Sequence, residues 1–172
     1  MSDEKVDESD KVTLILPCES LPCDGFDDVS NRNVDHQLQV SKKKLARHSP
    51  YFEAMCFGGF SEGTKSHVKI EGVKYSALQK IVAFTSEDSF DFALEYGTVF
   101  HVLEAASMLQ FSSIQKQCCD FLIASMVVDN VIEILIVAEH LSIHNMYSKA
   151  FCFTLYHFER VINSQSFLKM KF

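Results

Sequence analysis

An α+β fold is predicted, with a small sheet early in the chain and a cluster of helices after it. Residues 37–40 alternate polar and apolar side chains as a half-buried strand does, and His67-Val68-Lys69-Ile70-Glu71 does so more clearly. Beyond residue 75, apolar residues recur at helical spacing in at least five segments joined by short links. Such links imply neighbours packed antiparallel or nearly so.

Taken in order, the first ten residues are polar and acidic, and 1–25 is expected to be a disordered or irregular lead. Within it, residues 12–16 form a short β-prone run cut off by Pro17, and 17–33 has loop composition. Ser49 is suited to cap a helix whose first position is Pro50, because that nitrogen has no intrahelical partner. Gly58-Gly59-Phe60-Ser61-Glu62-Gly63 follows, too rich in glycine for regular structure. Leu78, Ile81 and Val82 mark the next helix, with a break expected at 85–88. Phe100, Leu103, Ala105 and Ala106 mark another, over 97–109. Ser112 with Gln115, and Asn130 with Glu133, have the capping-box form and are expected to open two further helices. A last helix is expected over 145–160, and the chain closes on an apolar fragment, 167–172, that looks like part of an unfinished second domain.

The 172 residues suit one domain, or one domain and part of another. Apolar residues make up 47% of the chain, which fits a packed core. The formal charge of −7 argues against sequence-independent nucleic-acid binding, which needs clustered cations; Lys42, Lys43 and Lys44 read as a solvated turn or helix edge. No apolar run is long enough to span a bilayer, and the acidic start lacks the marks of a secretory signal, so a cytoplasmic or nuclear protein without membrane partners is expected. The six cysteines show no zinc spacing and are expected to be reduced and mostly buried.

Signs of catalysis are missing from the pattern. His140 and His144 have i, i+4 spacing, but a helix end is expected between them and no third ligand completes a set. Cys118-Cys119 points to two helical faces and reads as one core residue and one surface residue. No nucleophile elbow and no phosphate-cradling loop is present, so neither a catalytic residue, a metal nor a cofactor is expected. The apolar helices from residue 131 onward, with Phe151, Phe153, Tyr156 and Phe158, suggest a binding or oligomerisation surface instead. For Phe60 the residues by themselves favour the core over a partner.

Leu45-Ala46-Arg47-His48-Ser49-Pro50-Tyr51-Phe52, then Phe60-Ser61-Glu62, then Val68-Lys69-Ile70, then Ala105-Ala106-Ser107-Met108-Leu109-Gln110, with Cys118 and Phe121-Leu122, together resemble a BTB (POZ) domain. Asn130, Ala138, Phe158 and Phe167-Leu168 resemble the opening helices of a BACK domain, the pairing found in kelch-like adaptors. The resemblance implies a BTB domain over 26–126 and an incomplete BACK domain over 127–172. It also implies a non-enzymatic, dimerising adaptor that recruits the Cullin-3 scaffold of a ubiquitin ligase. Phe60, Ser61 and Glu62 match the apolar-any-Glu loop through which such adaptors contact the cullin, which reverses the preference for a buried Phe60.

Asp28-Val29 and, thirteen residues on, Ser41-Lys42 stand where the family has Asp-Val and His-Lys, so Asp28 and Lys42 become dimer-interface candidates. The intervening 30–33 is polar, and residues 12–16 offer the first strand in another register. The leading amphipathic helix of such domains is not evident before Asp28, where Pro17 and Pro22 intervene. A homodimer, or a heterodimer with another BTB protein, is expected. No substrate-binding module is legible, so the substrate is unknown. The rival reading is a cytoskeletal or transcriptional BTB oligomerisation module that binds no cullin.

Overall fold

A computed structural model of the chain describes residues 10–17, 35–87 and 94–168. Among them β1 (Lys11–Leu16), β2 (His36–Ser41) and β3 (His67–Lys69) form one sheet in the order β2-β1-β3. β1 runs antiparallel to β2, with Leu14 opposite Leu38, and parallel to β3, with Leu14 opposite Val68. The irregular lead expected over 1–25 is therefore wrong for this segment, which is the middle strand. Val12, Leu14 and Leu16 alternate into the core, and only a central position satisfies ladders on both sides. β3 is shorter than the alternation at 67–71 suggests, although the Ile70 amide still donates to the Ile15 carbonyl at 2.8 Å.

Helices α1 (Lys42–His48) and α2 (Pro50–Phe57) follow, then α3 (Tyr75–Glu87), α4 (Tyr96–Met108) and α5 (Ser112–Ala124). Sheet and helices enclose a core containing Leu45, Phe52, Leu78, Ile81, Leu103, Phe111, Ile114 and Leu122, all buried. α3 continues past the expected break because the Thr85 hydroxyl donates to the Val82 carbonyl at 2.9 Å and so is satisfied within the helix.

The chain continues through α6 (Val131–His140), α7 (His144–Tyr156), α8 (Phe158–Ile162) and α9 (Gln165–Leu168). α6 pairs with α7, and α9 returns to touch α6. His140 ends one helix and His144 opens the next. Among the described residues no group of three His, Cys, Asp or Glu side chains is placed to hold a metal, and no helix is long and apolar enough to cross a membrane.

Several local expectations are corrected. The helix expected over 145–160 is two, interrupted at His157, where the backbone leaves helical geometry and α8 turns Val161 into the core. Neither capping box forms. Ser112 lies inside α5 behind the buried Phe111, and the Gln115 amide donates instead to the Ser107 hydroxyl at 3.1 Å. Asn130 does flank α6, but its side chain turns back, accepting from the Val127 amide (2.7 Å) and donating to the Ser125 carbonyl (2.9 Å). Glu133 meanwhile accepts from the Tyr96 hydroxyl at 3.0 Å. In each case another partner, in the preceding turn or on a distant helix, competes successfully with the local cap.

Cys118 and Cys119 are both buried, where one surface residue was expected, since α7 packs across α5. Burial pushes the Cys118 thiol up to about 12 and the Cys119 thiol up to about 11, with Cys119 and Asp120 respectively adding to the effect. Burial also raises the Cys56 thiol, partly offset by Lys42. Of these three and the exposed Cys152, only Cys152 should react with iodoacetamide in the native protein at mildly alkaline pH, the others labelling on unfolding. Mass mapping of the labelled peptides checks this, and native labelling of Cys118 would contradict it.

Candidate functional site

The groove beside Phe60 begins with Ser49. Its hydroxyl accepts the Phe52 amide at 3.1 Å, capping α2, and donates to the Leu109 carbonyl at 2.6 Å, so the start of α2 is fixed to the end of α4. At that end Gln110 has a φ of 57°, and the Phe111 amide reaches back to the Ala106 carbonyl at 2.8 Å, closing α4 in a left-handed turn. α2 then presents Phe52 to the core and Tyr51, Ala54 and Met55 to the groove.

Beyond Phe57 the chain reverses. Gly59 has a φ of 81°, a conformation that side chains disfavour, and the 3₁₀ turn Ser61–Thr64 follows. Gly63 presses against α2 so closely that a Cβ there would lie 2.7 Å from the Cys56 carbonyl oxygen. This reversal carries Phe60 away from the packed interior and leaves it 60% exposed. The preference for the core drawn from the residues alone is thus overturned. Phe60 instead stands at the edge of an open groove that it lines together with Tyr51 and Met55, on a turn whose Gly63 is seated closely against α2.

Glu62 is partly exposed two residues on. Its carboxyl is held below the usual carboxylate range, first by its own backbone N–H and then by Lys65 and Ser61. The Lys65 ammonium lies 3.2 Å from one oxygen and the Ser61 hydroxyl donates to the other at 3.0 Å. The group therefore stays ionised through neutral and mildly acid pH. Phe60 and Glu62 line an open groove of about 540 Å³, walled by Pro50, Tyr51, Ala54 and Met55 of α2, by Val68 and Lys69 of β3, and by Gln110. An aromatic at the rim, an apolar trough and a fixed anion suit contact with a protein surface: the ring supplies buried area and the carboxylate supplies orientation.

Of the residues singled out from sequence, Phe60, Ser61 and Glu62 are brought together on one exposed turn. Asp28 lies outside the described residues. Lys42 is half-buried at the start of α1 and donates to the Gly63 carbonyl at 2.9 Å, which places it against this same turn. The groove walls were not foreseen. Tyr51, Ala54 and Met55 have the i, i+3, i+4 spacing of one helical face, but nothing in the pattern distinguishes that face from the one bearing Phe52. Gln110 carries no sequence sign of its left-handed backbone.

A family model described as "BTB/POZ domain" matches residues 19–126, well over half of the chain. The chain belongs to the BTB/POZ family. Among curated proteins it resembles Kelch-like protein 28 of Mus musculus, with 33% identity over 143 residues, 83% of this chain and 25% of that protein. It is 32% identical to Kelch-like protein 22 of Xenopus tropicalis over 133 residues, 77% of this chain and 20% of that protein. Kelch-like protein 17 of Homo sapiens is 30% identical over 132 residues, 77% of this chain and 20% of that protein. The BTB chain thus spans a quarter or less of the length of these relatives. Among solved structures, the BTB (Tramtrack and Bric a brac) domain of human gigaxonin matches with a TM-score of 0.47 at 22% identity, over 66% of this chain and 77% of that one.

Proposed function

We propose that this BTB protein is a non-enzymatic adaptor acting inside the cell, which recruits the Cullin-3 scaffold of a ubiquitin ligase through Phe60, Ser61 and Glu62. Dimerisation through the BTB domain would make the assembly bivalent, and substrate choice would rest with a region or partner outside these residues. The helices from residue 127 onward are read as the start of a BACK domain that adds a second cullin contact. The observation that carries the reading is the turn itself, an exposed ring and an ionised carboxylate two residues apart at the rim of an apolar groove. It stands in the positions of the family's apolar-any-Glu loop. Membership of the BTB family and similarity to kelch-like proteins support it.

The test is a calorimetric titration of the purified chain against the N-terminal region of Cullin-3, with sedimentation equilibrium on the same sample. Saturable binding by a dimer is expected. A Glu62→Gln chain should associate more slowly and show a weaker dependence of association rate on salt, with its unfolding midpoint unchanged, because an exposed interfacial charge acts mainly on encounter. A chain that self-associates but gives no heat with the cullin would favour a BTB oligomerisation module instead. The exposed Phe151, Leu155, Tyr156 and Phe158 on α7 and α8 make that the second reading.

A further inference from the structure

The side-chain hydrogen bonds within the docking turn are local to it. Ser61 bonds Glu62, Thr64 bonds the Ser61 carbonyl, and Lys65 bonds Glu62, all of them exposed. None of these three fixes the turn to the body of the domain. Lys42 does. Its ammonium crosses from the first position of α1 to the Gly63 carbonyl at 2.9 Å. Gly63 also donates its amide to the Phe60 carbonyl at 3.1 Å, so both of its backbone groups take part in holding the residue that carries the ring.

The base of Lys42 is itself anchored. Ser41 caps α1 by accepting the Lys44 amide at 3.2 Å, and its hydroxyl donates to Asp10 at 2.5 Å. Asp10 accepts the Lys43 amide at 3.0 Å through its other oxygen. The backbone on both sides of Lys42 is thereby fixed, which aims one lysine of the basic run at the turn while Lys43 and Lys44 project outward, exposed. The Cys56 carbonyl leaves no room for a side chain at Gly63. The turn is thus held both by the end of α2 and by the Lys42 ammonium.

We infer that Lys42 is a positioning residue for the Phe60–Glu62 docking turn, setting the ring and the carboxylate in the arrangement a partner meets. This rests on the reading of that turn as the cullin contact and goes beyond it by assigning the group that holds the contact in place. A hydrogen bond from a charged donor to a half-buried carbonyl is strong enough for its loss to be visible.

The test compares the wild-type chain with Lys42→Met, which keeps the aliphatic stem and helix propensity but removes the donor, and with Lys42→Arg, which keeps a donor. Amide hydrogen exchange and calorimetry against the N-terminal region of Cullin-3 are the readouts. Lys42→Met should speed exchange at the Gly63 and Lys65 amides beyond what its small drop in global stability gives at the amides of α4 and α5, and should weaken cullin binding by about tenfold. Lys42→Arg should recover part of both effects. In a Phe60→Ala background Lys42→Met should cost little more, because the residue acts through the ring. Unchanged exchange in the turn, or an equal loss of affinity with and without Phe60, would overturn the inference. If wild type fails to bind the cullin, the docking reading falls, and the exchange data alone then decide whether Lys42 sets the turn.

Discussion

Phe60→Ala is expected to weaken binding to the N-terminal region of Cullin-3 by about 2 kcal/mol, roughly thirtyfold in affinity, and to leave the fold intact. The ring is 60% exposed in the free chain, so its removal opens no cavity and forfeits little packing. On docking it would bury most of its apolar area against the partner, and an aromatic shielded from water by surrounding contacts carries more energy than those neighbours. Isothermal titration gives the affinity and thermal unfolding the control. An unchanged affinity would remove Phe60 from the contact. A lowered unfolding midpoint would show that the ring supports the turn as well as the partner.

Phe52→Ala should act in the opposite way, costing about 4 kcal/mol of stability. Phe52 is fully buried, with its ring centroid 5.8 Å from that of Phe111 and 5.2 Å from that of Tyr51. It joins α2, which walls the groove, to the residue that links α4 to α5, so a cavity there loosens the groove together with the core. Urea denaturation followed by circular dichroism measures the loss. Phe57→Ala, at the 57% exposed end of the same helix, is the control and should change stability by about 0.5 kcal/mol or less. Equal effects of the two substitutions would mean that α2 does not seat Phe52 as described.

The legible parts of the fold were those in which local and tertiary preferences agree. Ser49-Pro50 predicted the start of α2, and the structure adds only that the same hydroxyl also donates to Leu109. The alternation around Val68 and the run at 12–16 predicted strands, although the central place of β1 could not be read from a segment followed by Pro17 and a loop-like stretch. The capping boxes at Ser112 and Asn130 do not form because their members are bonded elsewhere, Gln115 to Ser107, Asn130 to the turn before it and Glu133 to Tyr96. The basic run reads from sequence as a solvated edge, yet Lys42 is half-buried. Its partner, the Gly63 carbonyl, lies 21 residues away across a turn and leaves no trace in composition or periodicity.

Read by itself, the residue order determined the α+β class, the placing of strands early and helices late, the start of α2 and the glycine hinge before Phe60. Those depend on backbone sterics and on interactions within a few residues. Only the tertiary structure decided that Phe60 faces outward, that Tyr51 and Met55 line a groove, and that Lys42 donates to the Gly63 carbonyl. An aromatic between glycines is free to go either way by local preference, and here the reversal at Gly59 and the close seating of Gly63 on α2 leave the ring at the surface.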